Sequence, residues 1–219
     1  MKLIKPMQMG LKLHDWIVLA TCIALVGVLG VSIDPLVPPA FDVEALTWIR
    51  SNVEGISGDA LIQIYRFSGV GFTAFLVLAS IIYVTLKRWW NDLRLLVLAS
   101  GGILIIIDLW LKPWFDRHRP PEKLLSVDGR SFPSGHAAGA VAFYGAILLI
   151  LAARYPRWRT PIAIGACLWI SLVWLSTLYV RAHWPTDLLA GAATGLAWLT
   201  LCKALWTVDS PRKSVQPPL

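Results

Sequence analysis

Three short polar clusters interrupt an otherwise apolar chain, and their residue types suit the binding and transfer of phosphate. The clusters span residues 112–120 (KPWFDRHRP), 133–136 (PSGH) and 176–187 (STLYVRAHWPTD). Together they contain four cations, three histidines and two aspartates. Lipid makes charge costly, so charged residues at the ends of membrane spans indicate a function. The clusters therefore favour an enzyme over a purely structural membrane protein.

The second cluster has the pattern of a helix start that binds an anion. Ser134 is a favoured N-cap residue, and an apolar helical run follows it. The backbone N–H groups of such a first turn, together with the helix dipole, form an anion site. Gly135 lets a ligand approach the backbone closely, and His136 would lie over the bound anion as a general acid. Alone, the pattern is also that of an ordinary capped helix.

Lys112 and Arg119 flank the end of an apolar segment and predict a phosphate site. Arginine supplies a rigid fork of donors, and lysine supplies a point charge. Each alone could be a cation that extends from a span end to the membrane surface. Because both lie on the same predicted side as the PSGH turn, we expect them to bind ligand. Arg117 and His118, between them, are further candidates.

The third cluster places His183 four residues before Asp187. That spacing puts both side chains near one face if the turn is helical. An aspartate bonded to one imidazole nitrogen fixes the tautomer and makes the other nitrogen a better nucleophile. Attack on phosphorus would give a phosphohistidine, from which water would release phosphate.

In order and spacing, the three clusters resemble the signature of the type 2 phosphatidic acid phosphatase superfamily. That family includes membrane lipid phosphatases, glucose-6-phosphatase and vanadium haloperoxidases. Its pattern is K-x6-R-P, then P-S-G-H, then S-R-x5-H-x3-D. The residues of this chain that match it are Lys112, Arg119, Pro120, Pro133, Ser134, Gly135, His136, Ser176, His183 and Asp187.

The resemblance implies a role for each matched side chain. His183 would be the nucleophile, Asp187 its orienting partner, and His136 the general acid for the leaving group. The residues that would hold the phosphoryl oxygens are Lys112, Arg119, Ser134 and Gly135. The resemblance implies no metal ion and no cofactor. Electrostatic preorganisation by the positive charges would then stabilise the transition state.

One position departs from the family pattern, because Thr177 stands where the family has an arginine. Arg181 lies four residues later, one turn further along a continuous helix, and we expect it to reach the same phosphate. If nothing replaces the missing arginine, the enzyme would be slow or specialised. Asp108 lies four residues before Lys112, and the spacing predicts an intrahelical pair that holds the lysine in place.

The elements that must position these residues are apolar segments close to the length of about 20 residues that spans a bilayer. Hydrophobic residues form 57% of the chain and charged residues 15%. The sequence predicts an all-α integral membrane bundle of six transmembrane helices in one domain, 1–207. The six segments are 16–33, 67–86, 95–111, 137–153, 161–180 and 188–202, the last extending to 185–206.

The distribution of Lys and Arg predicts the orientation in the membrane. One set of flanks, which includes both termini, carries 12 of the 20 Lys and Arg residues but 3 of the 13 acidic residues. Such flanks face the cytoplasm, so the three clusters would lie on the exterior (periplasmic) face of the plasma (inner) membrane. The net charge of +7 is thereby explained by the membrane, and we expect no nucleic-acid partner.

Two further segments carry expectations of their own. Residues 34–66 contain Val43, Leu46, Ile49 and Val53 at helical spacing, which predicts an amphipathic helix on the exterior membrane surface. It could be a lid for a lipid substrate or a plain connector. Residues 208–219 are predicted to form a disordered cytoplasmic tail. The first apolar segment could instead be a signal peptide.

The sequence thus predicts a membrane lipid phosphatase. By family analogy its substrates would be undecaprenyl pyrophosphate, phosphatidylglycerol phosphate, phosphatidic acid and related lipids. Two alternatives stay open: a lipid phosphotransferase that uses the same intermediate, and a lipid-binding or transport protein with a decayed site. The sequence does not indicate an oligomeric state.

Overall fold

The chain folds into a bundle of helices, and the three polar clusters lie at one end of the long helices of this bundle. A computed structural model describes residues 10–53 and 56–206, and these residues contain helices and no strands. The predicted all-α class is confirmed for them, whereas the predicted tail lies outside the described residues. The helices are α1 (Leu13–Ser32), α2 (Ala40–Asn52), α3 (Ile56–Phe67), α4 (Val70–Leu86), α5 (Trp90–Leu104), α6 (Lys112–Phe115), α7 (Gly135–Arg154), α8 (Arg159–Tyr179) and α9 (Pro185–Ala204).

Four helical stretches among the described residues are long and apolar enough to cross a membrane. A fifth is added if α3 and α4, which meet at a bend of 53°, are one span. The prediction of six spans is therefore not confirmed. The prediction of an integral membrane protein is confirmed. The four stretches are Leu13–Ser32, Trp90–Phe115, Gly135–Arg154 and Pro156–Tyr179.

The sixth predicted span corresponds to α9, which begins at Pro185 as the sequence predicts. Helix α9 packs against α1, α5 and α7. Because protein surrounds much of α9, it can carry Gly, Ala and Thr where a lipid-facing helix would carry larger apolar residues. The β-carbon of an alanine at 191 would lie 2.4 Å from the Ser134 carbonyl oxygen, and one at 195 would lie 2.5 Å from that of Ala138. Glycine at both positions lets α9 approach α7 backbone to backbone.

The third predicted span is longer than expected and changes its winding before it reaches the polar end. Helix α5 continues through a π-helical stretch, Ile105–Leu111, into α6, so that the whole stretch has 26 residues. A π-helix is rare and occurs frequently at functional sites. Here it immediately precedes Lys112 and contains Asp108.

The segment 34–66 forms two helices rather than one. Helix α2 packs against α8 and α9, and its buried residues are Asp42, Leu46 and Ile49. Leu46 and Ile49 share the face of α2 that is buried against protein, whereas Val43 is 44% exposed and Val53 follows the last residue of the helix. The face includes a buried carboxylate because α2 packs on protein there. Its position relative to the membrane stays a prediction.

Two ion pairs join the helices at the end away from the polar clusters. Asp92 on α5 is fully buried and accepts hydrogen bonds from Arg154 Nε at 2.7 Å and from Trp206 Nε1 at 2.8 Å. Asp15 on α1 accepts a hydrogen bond from Lys203 Nζ at 2.8 Å. Residues that are far apart in the sequence therefore fix α1, α5, α7 and α9 at this end.

Candidate active site

The three polar clusters meet at one end of the helices, as the sequence predicts. The first comprises α6 and the start of the loop that follows it, the second is at the start of α7, and the third runs from the last turn of α8 to the first turn of α9. Backbone hydrogen bonds join them: Ser131 N–H donates to the Arg117 carbonyl at 2.8 Å, and Ser134 N–H donates to the Asp187 carbonyl at 2.9 Å. The loop, the helix start and the turn are therefore connected to one another directly.

The hydrogen bonds of His183 define its tautomer. Its side chain is 1% exposed, and Nδ1 lies 2.9 Å from the Ser131 carbonyl oxygen. A carbonyl oxygen only accepts hydrogen bonds, so Nδ1 carries the proton. Nε2 is then unprotonated, and its lone pair accepts a hydrogen bond from Arg119 Nη1 at 3.2 Å. An unprotonated nitrogen beside a phosphate-binding cation is what a nucleophile for phosphorus needs.

Asp187 lies close to His183 but is not its hydrogen-bond partner in this geometry. Asp187 Oδ2 is 3.5 Å from His183 Nδ1, beyond ordinary hydrogen-bond length. The same carboxylate accepts hydrogen bonds from Ser131 Oγ and from Trp184 N–H, the latter at 2.8 Å. The Ser131 carbonyl is thus the shorter partner of Nδ1, and an orienting role of Asp187 stays a prediction.

Burial favours the neutral form of His183. Removal from water lowers the pKa of the His183 imidazole below its ordinary value, whereas the nearby Asp187 raises it and Arg119 and Lys112 lower it further. The result is a lowered pKa, so His183 is neutral at neutral pH. Neutrality keeps the Nε2 lone pair available for attack.

His136 and His183 face one another across the site. Their ring centroids are 6.0 Å apart and nearly perpendicular, at 65°. On its other side, His136 stacks on Tyr65 of α3, with centroids 5.1 Å apart and an interplanar angle of 24°. A phosphoryl group held between the imidazoles would have one histidine on each side. This is the arrangement that a nucleophile and a general acid require.

The first turn of α7 begins at the predicted N-cap residue, and anion binding there stays a prediction. Helix α7 begins at Gly135, and the Ser134 hydroxyl accepts a hydrogen bond from Ala137 N–H at 3.3 Å. A β-carbon at position 135 would lie 3.6 Å from Lys112 Nζ. The missing side chain therefore leaves the space between the backbone and the lysine open for an anion. Ser134 itself is fully buried.

Lys112 and Arg119, the two cations predicted to bind phosphate, are held by different kinds of partner. Lys112 Nζ bonds Asp108 Oδ1 at 2.6 Å, which confirms the predicted intrahelical pair. Arg119 bonds the carbonyls of Asp128, Gly129 and Ala182 at 3.2, 3.1 and 2.5 Å. Carbonyl partners hold the guanidinium without neutralising it, so its charge stays available to an anion.

Arg181 does not lie on a continuous helix with Thr177, because α8 ends at Tyr179 and Arg181 has a φ of 56°. Its Nη1 bonds Glu122 Oε2 at 3.0 Å. Arg181 and Arg119 both line a cavity of about 290 Å³ on this end of the protein. The expected helical route to the phosphate is wrong, and a phosphate contact of Arg181 stays a prediction.

Sequence reasoning missed two residues of the site and misjudged a third. Tyr65 and Asp42 come from α3 and α2, and neither belongs to a motif.

Arg117 was a candidate phosphate ligand, but it is 1% exposed and paired with two carboxylates, so it is not free for phosphate. His118 is exposed; its backbone N–H donates to Pro35 and its carbonyl accepts from Trp184.

Comparison with known proteins finds the same family that the motifs resemble. The family model of the PAP2 superfamily matches residues 68–209. Phosphatidylglycerophosphatase B of Bacillus subtilis is 33% identical over 121 residues, which cover 53% of this chain and 58% of that protein. Lipid A 1-phosphatase of Rhizobium johnstonii is 40% identical over 75 residues, which cover 34% and 27%. The chain thus matches less than two thirds of the length of either relative.

A solved structure has a similar fold. The crystal structure of the transmembrane PAP2-type phosphatidylglycerolphosphate phosphatase from Bacillus subtilis superposes with a TM-score of 0.74 at 22% sequence identity. The superposition covers 84% of this chain and 94% of that one. At this identity the likeness shows the fold.

Proposed function

Because the chain belongs to the PAP2 superfamily, we propose that it removes phosphate from a lipid phosphate monoester or pyrophosphate through a phosphohistidine at His183. The observation that carries the proposal is the imidazole itself. Its Nδ1 proton is donated to the Ser131 carbonyl, and its unprotonated Nε2 accepts a hydrogen bond from Arg119 at 3.2 Å, which a bound phosphate would take over. The relatives that match are named lipid phosphatases, which supports the substrate class.

The reaction follows from the positions of the two histidines. Nε2 of His183 attacks phosphorus, and the bond from phosphorus to the leaving oxygen breaks. His136, on the other side, takes up a proton when the phosphate anion is bound beside it, because an adjacent negative charge favours the charged imidazole, and gives that proton to the leaving oxygen. Water then attacks the phosphohistidine, His136 accepts a proton from the water, and phosphate leaves as Nε2 regains its lone pair. Lys112, Arg119 and the first turn of α7 stabilise the phosphoryl oxygens throughout.

The substrate is a lipid because the site lies at one end of membrane-spanning helices. Phosphatidylglycerol phosphate is the first candidate, since a phosphatidylglycerophosphatase is among the relatives. Phosphatidic acid and undecaprenyl pyrophosphate are the others. We expect the site on the exterior face of the plasma membrane and the termini in the cytoplasm, because basic flanks favour the cytoplasmic side.

The test is release of phosphate by the purified protein in detergent, with EDTA present, from a panel of these lipids. We expect release that is lost, by a factor of about 10⁴, in His183→Ala. His14→Ala is the matched control, because His14 lies at the opposite end of the helices with a 63% exposed side chain, and it should keep full activity. Equal activity of His183→Ala and the wild type would refute the proposal. Transfer of phosphate to an added lipid alcohol, instead of to water, would identify a phosphotransferase.

A further inference from the structure

A buried cluster of charges extends from the candidate nucleophile to helix α2. Arg117 donates from Nη1 to Asp187 Oδ1 at 2.6 Å and from Nη2 to Asp42 Oδ2 at 2.7 Å. Both carboxylates are fully buried, and the arginine is 1% exposed. Buried ions are costly and are retained only with close partners. Asp42 lies outside the three motifs, yet it completes this cluster.

Asp42 also binds the first turn of α9, which carries Asp187. Its Oδ1 accepts a hydrogen bond from Thr186 N–H at 3.0 Å, and its Oδ2 accepts one from the Thr186 hydroxyl at 2.6 Å. That hydroxyl in turn accepts a hydrogen bond from Arg117 Nη1 at 2.8 Å. A carboxylate at a helix N-terminus is also stabilised by the helix dipole. Asp42 therefore fixes both the arginine and the helix start.

The charges of the cluster sum to minus one, because two carboxylates share one guanidinium. This negative charge lies on the Nδ1 side of His183, where Asp187 Oδ2 is 3.5 Å away. When Nε2 bonds to phosphorus while Nδ1 keeps its proton, the ring becomes positively charged. A fixed negative charge on that side stabilises the ring as the charge develops. Without Asp42 the cluster would be neutral, and without Arg117 it would carry minus two.

We propose that Asp42 and Arg117 are positioning residues that hold Asp187 and set the negative charge beside His183, so that α2 supplies part of the catalytic machinery. The proposal rests on the proposed function. It gives the segment 34–66 a role that differs from both a lid and a plain connector. A purely structural tie would hold α2 in place without changing the proton affinity of His183.

The test measures the pH at which kcat/KM falls as the solution is made more acidic, called here the acid limb. It is measured in variants that change one charge at a time. Asp42→Asn removes a negative charge and makes His183 harder to protonate, so the acid limb moves to lower pH. Arg117→Met removes a positive charge and moves the limb to higher pH. A unit charge roughly 12 Å away shifts a pKa by about one unit at an effective dielectric constant of about 20, so we expect shifts of the limb of about that size.

Conservative and matched variants separate this effect from a loss of folding. Arg117→Lys keeps the charge, so the limb should stay within a few tenths of a unit of the wild type. The double variant of Asp42→Asn with Arg117→Met retains one carboxylate, so the net charge is again minus one and its limb returns toward the wild type. Asp92→Asn removes a carboxylate that is equally buried and arginine-bound at the opposite end, and it should leave the limb unmoved.

The other charged and titratable groups around His183 stay constant in every variant. They are Asp187 on α9, Arg119 on the loop, His136 on α7 and Lys112 on α6. Opposite shifts in the two single variants would support the proposal. An unmoved acid limb in folded Asp42→Asn would overturn it.

A second readout keeps this proposal separate from the proposed function. If the wild type released no phosphate from any lipid, the proposed function would fail, and the acid limb could not be measured. Imidazole ¹⁵N NMR of His183 in the same variants would then report its protonation directly. A lower pKa of His183 in Asp42→Asn and a higher one in Arg117→Met would still support the proposal that these residues set the charge beside His183. Equal values in all variants would still overturn it.

Discussion

Both ends of the helices contain a fully buried aspartate bound by an arginine. At one end, Asp92 pairs with Arg154, whose guanidinium carbon lies 3.4 Å from the ring centroid of Trp89. At the other end, Asp187 pairs with Arg117, whose guanidinium carbon lies 5.5 Å from that of Trp184. The difference is the imidazole of His183 beside Asp187. The same interaction therefore holds helices together at one end and, in the proposed reaction, supports the nucleophile at the other.

The largest effect that would sharpen this comparison is expected from Lys112→Met. Lys112 Nζ lies beside the open space at Gly135 and its ion pair is with Asp108 of the preceding turn. Loss of a cation that stabilises a transferring phosphoryl group should lower kcat/KM by about 10³-fold. Steady-state kinetics on a lipid phosphate would measure it, with circular dichroism to show that the fold is retained.

Lys203→Met is the matched control at the opposite end. Lys203 binds Asp15 across α9 and α1, and its side chain is 41% exposed. An exposed ion pair contributes about 0–1 kcal/mol, so both activity and thermal stability should change little. A loss of kcat/KM in Lys203→Met comparable to that in Lys112→Met would contradict the division between the two ends.

The next largest effect concerns stability rather than chemistry. Arg154→Met leaves the buried carboxylate of Asp92 without its charge partner, which should reduce the free energy of unfolding by about 3 kcal/mol. Because the site is at the other end, kcat per folded molecule should match the wild type. Thermal unfolding in detergent and kinetics on the same sample would check both statements. A selective fall in kcat with unchanged unfolding would show that the two ends are coupled.

A smaller effect is expected from Tyr65, which stacks on His136. An offset aromatic stack contributes about 0.5–1.5 kcal/mol. Tyr65→Leu should therefore lower kcat/KM by about tenfold, because the general acid loses one support. Tyr65→Phe keeps the ring and should stay within about twofold of the wild type. Equal losses in the two variants would assign the effect to the hydroxyl group instead of the stack.

The smallest effect follows from the lowered pKa of His183. A neutral nucleophile should persist below the ordinary histidine pKa of about 6.5. The unfolded chain binds a proton at His183 at higher pH than the folded protein does. The stability that this residue contributes is therefore present above about pH 6.5 and declines as the pH falls below it. Unfolding measured between pH 7 and pH 5 should show this decline, and the decline should be smaller in His183→Ala.

Short-range features of the site could be predicted from the sequence. The N-cap at Ser134, the start of α9 at Pro185 and the Asp108–Lys112 pair each depend on residues within a few positions of one another. Local backbone geometry determines such features, so spacing is sufficient. The meeting of the three clusters at one end also follows from the alternating direction of successive spans.

Features that depend on the path of the chain could not be predicted. Arg181 was expected on a helix, but the chain leaves the helix at Val180 and turns through a left-handed conformation. Asp42 binds Arg117 across 75 positions and Thr186 across 144. The amphipathic helix that carries Asp42 could be recognised from the sequence. Which face of that helix packs against protein depends on how α2 docks on α8 and α9. Tyr65 reaches His136 because α3 bends by 53° from α4, an angle that composition does not define.

The contact between α7 and α9 at Gly191 and Gly195 has a consequence for how a lipid reaches the site. In the proposed reaction, the general acid lies at the start of one of these helices and the partner of the nucleophile at the start of the other. With backbones in contact, the two helices cannot slide or rotate past one another without steric collision. A lipid phosphate that enters the site therefore meets reacting groups whose relative positions are already set.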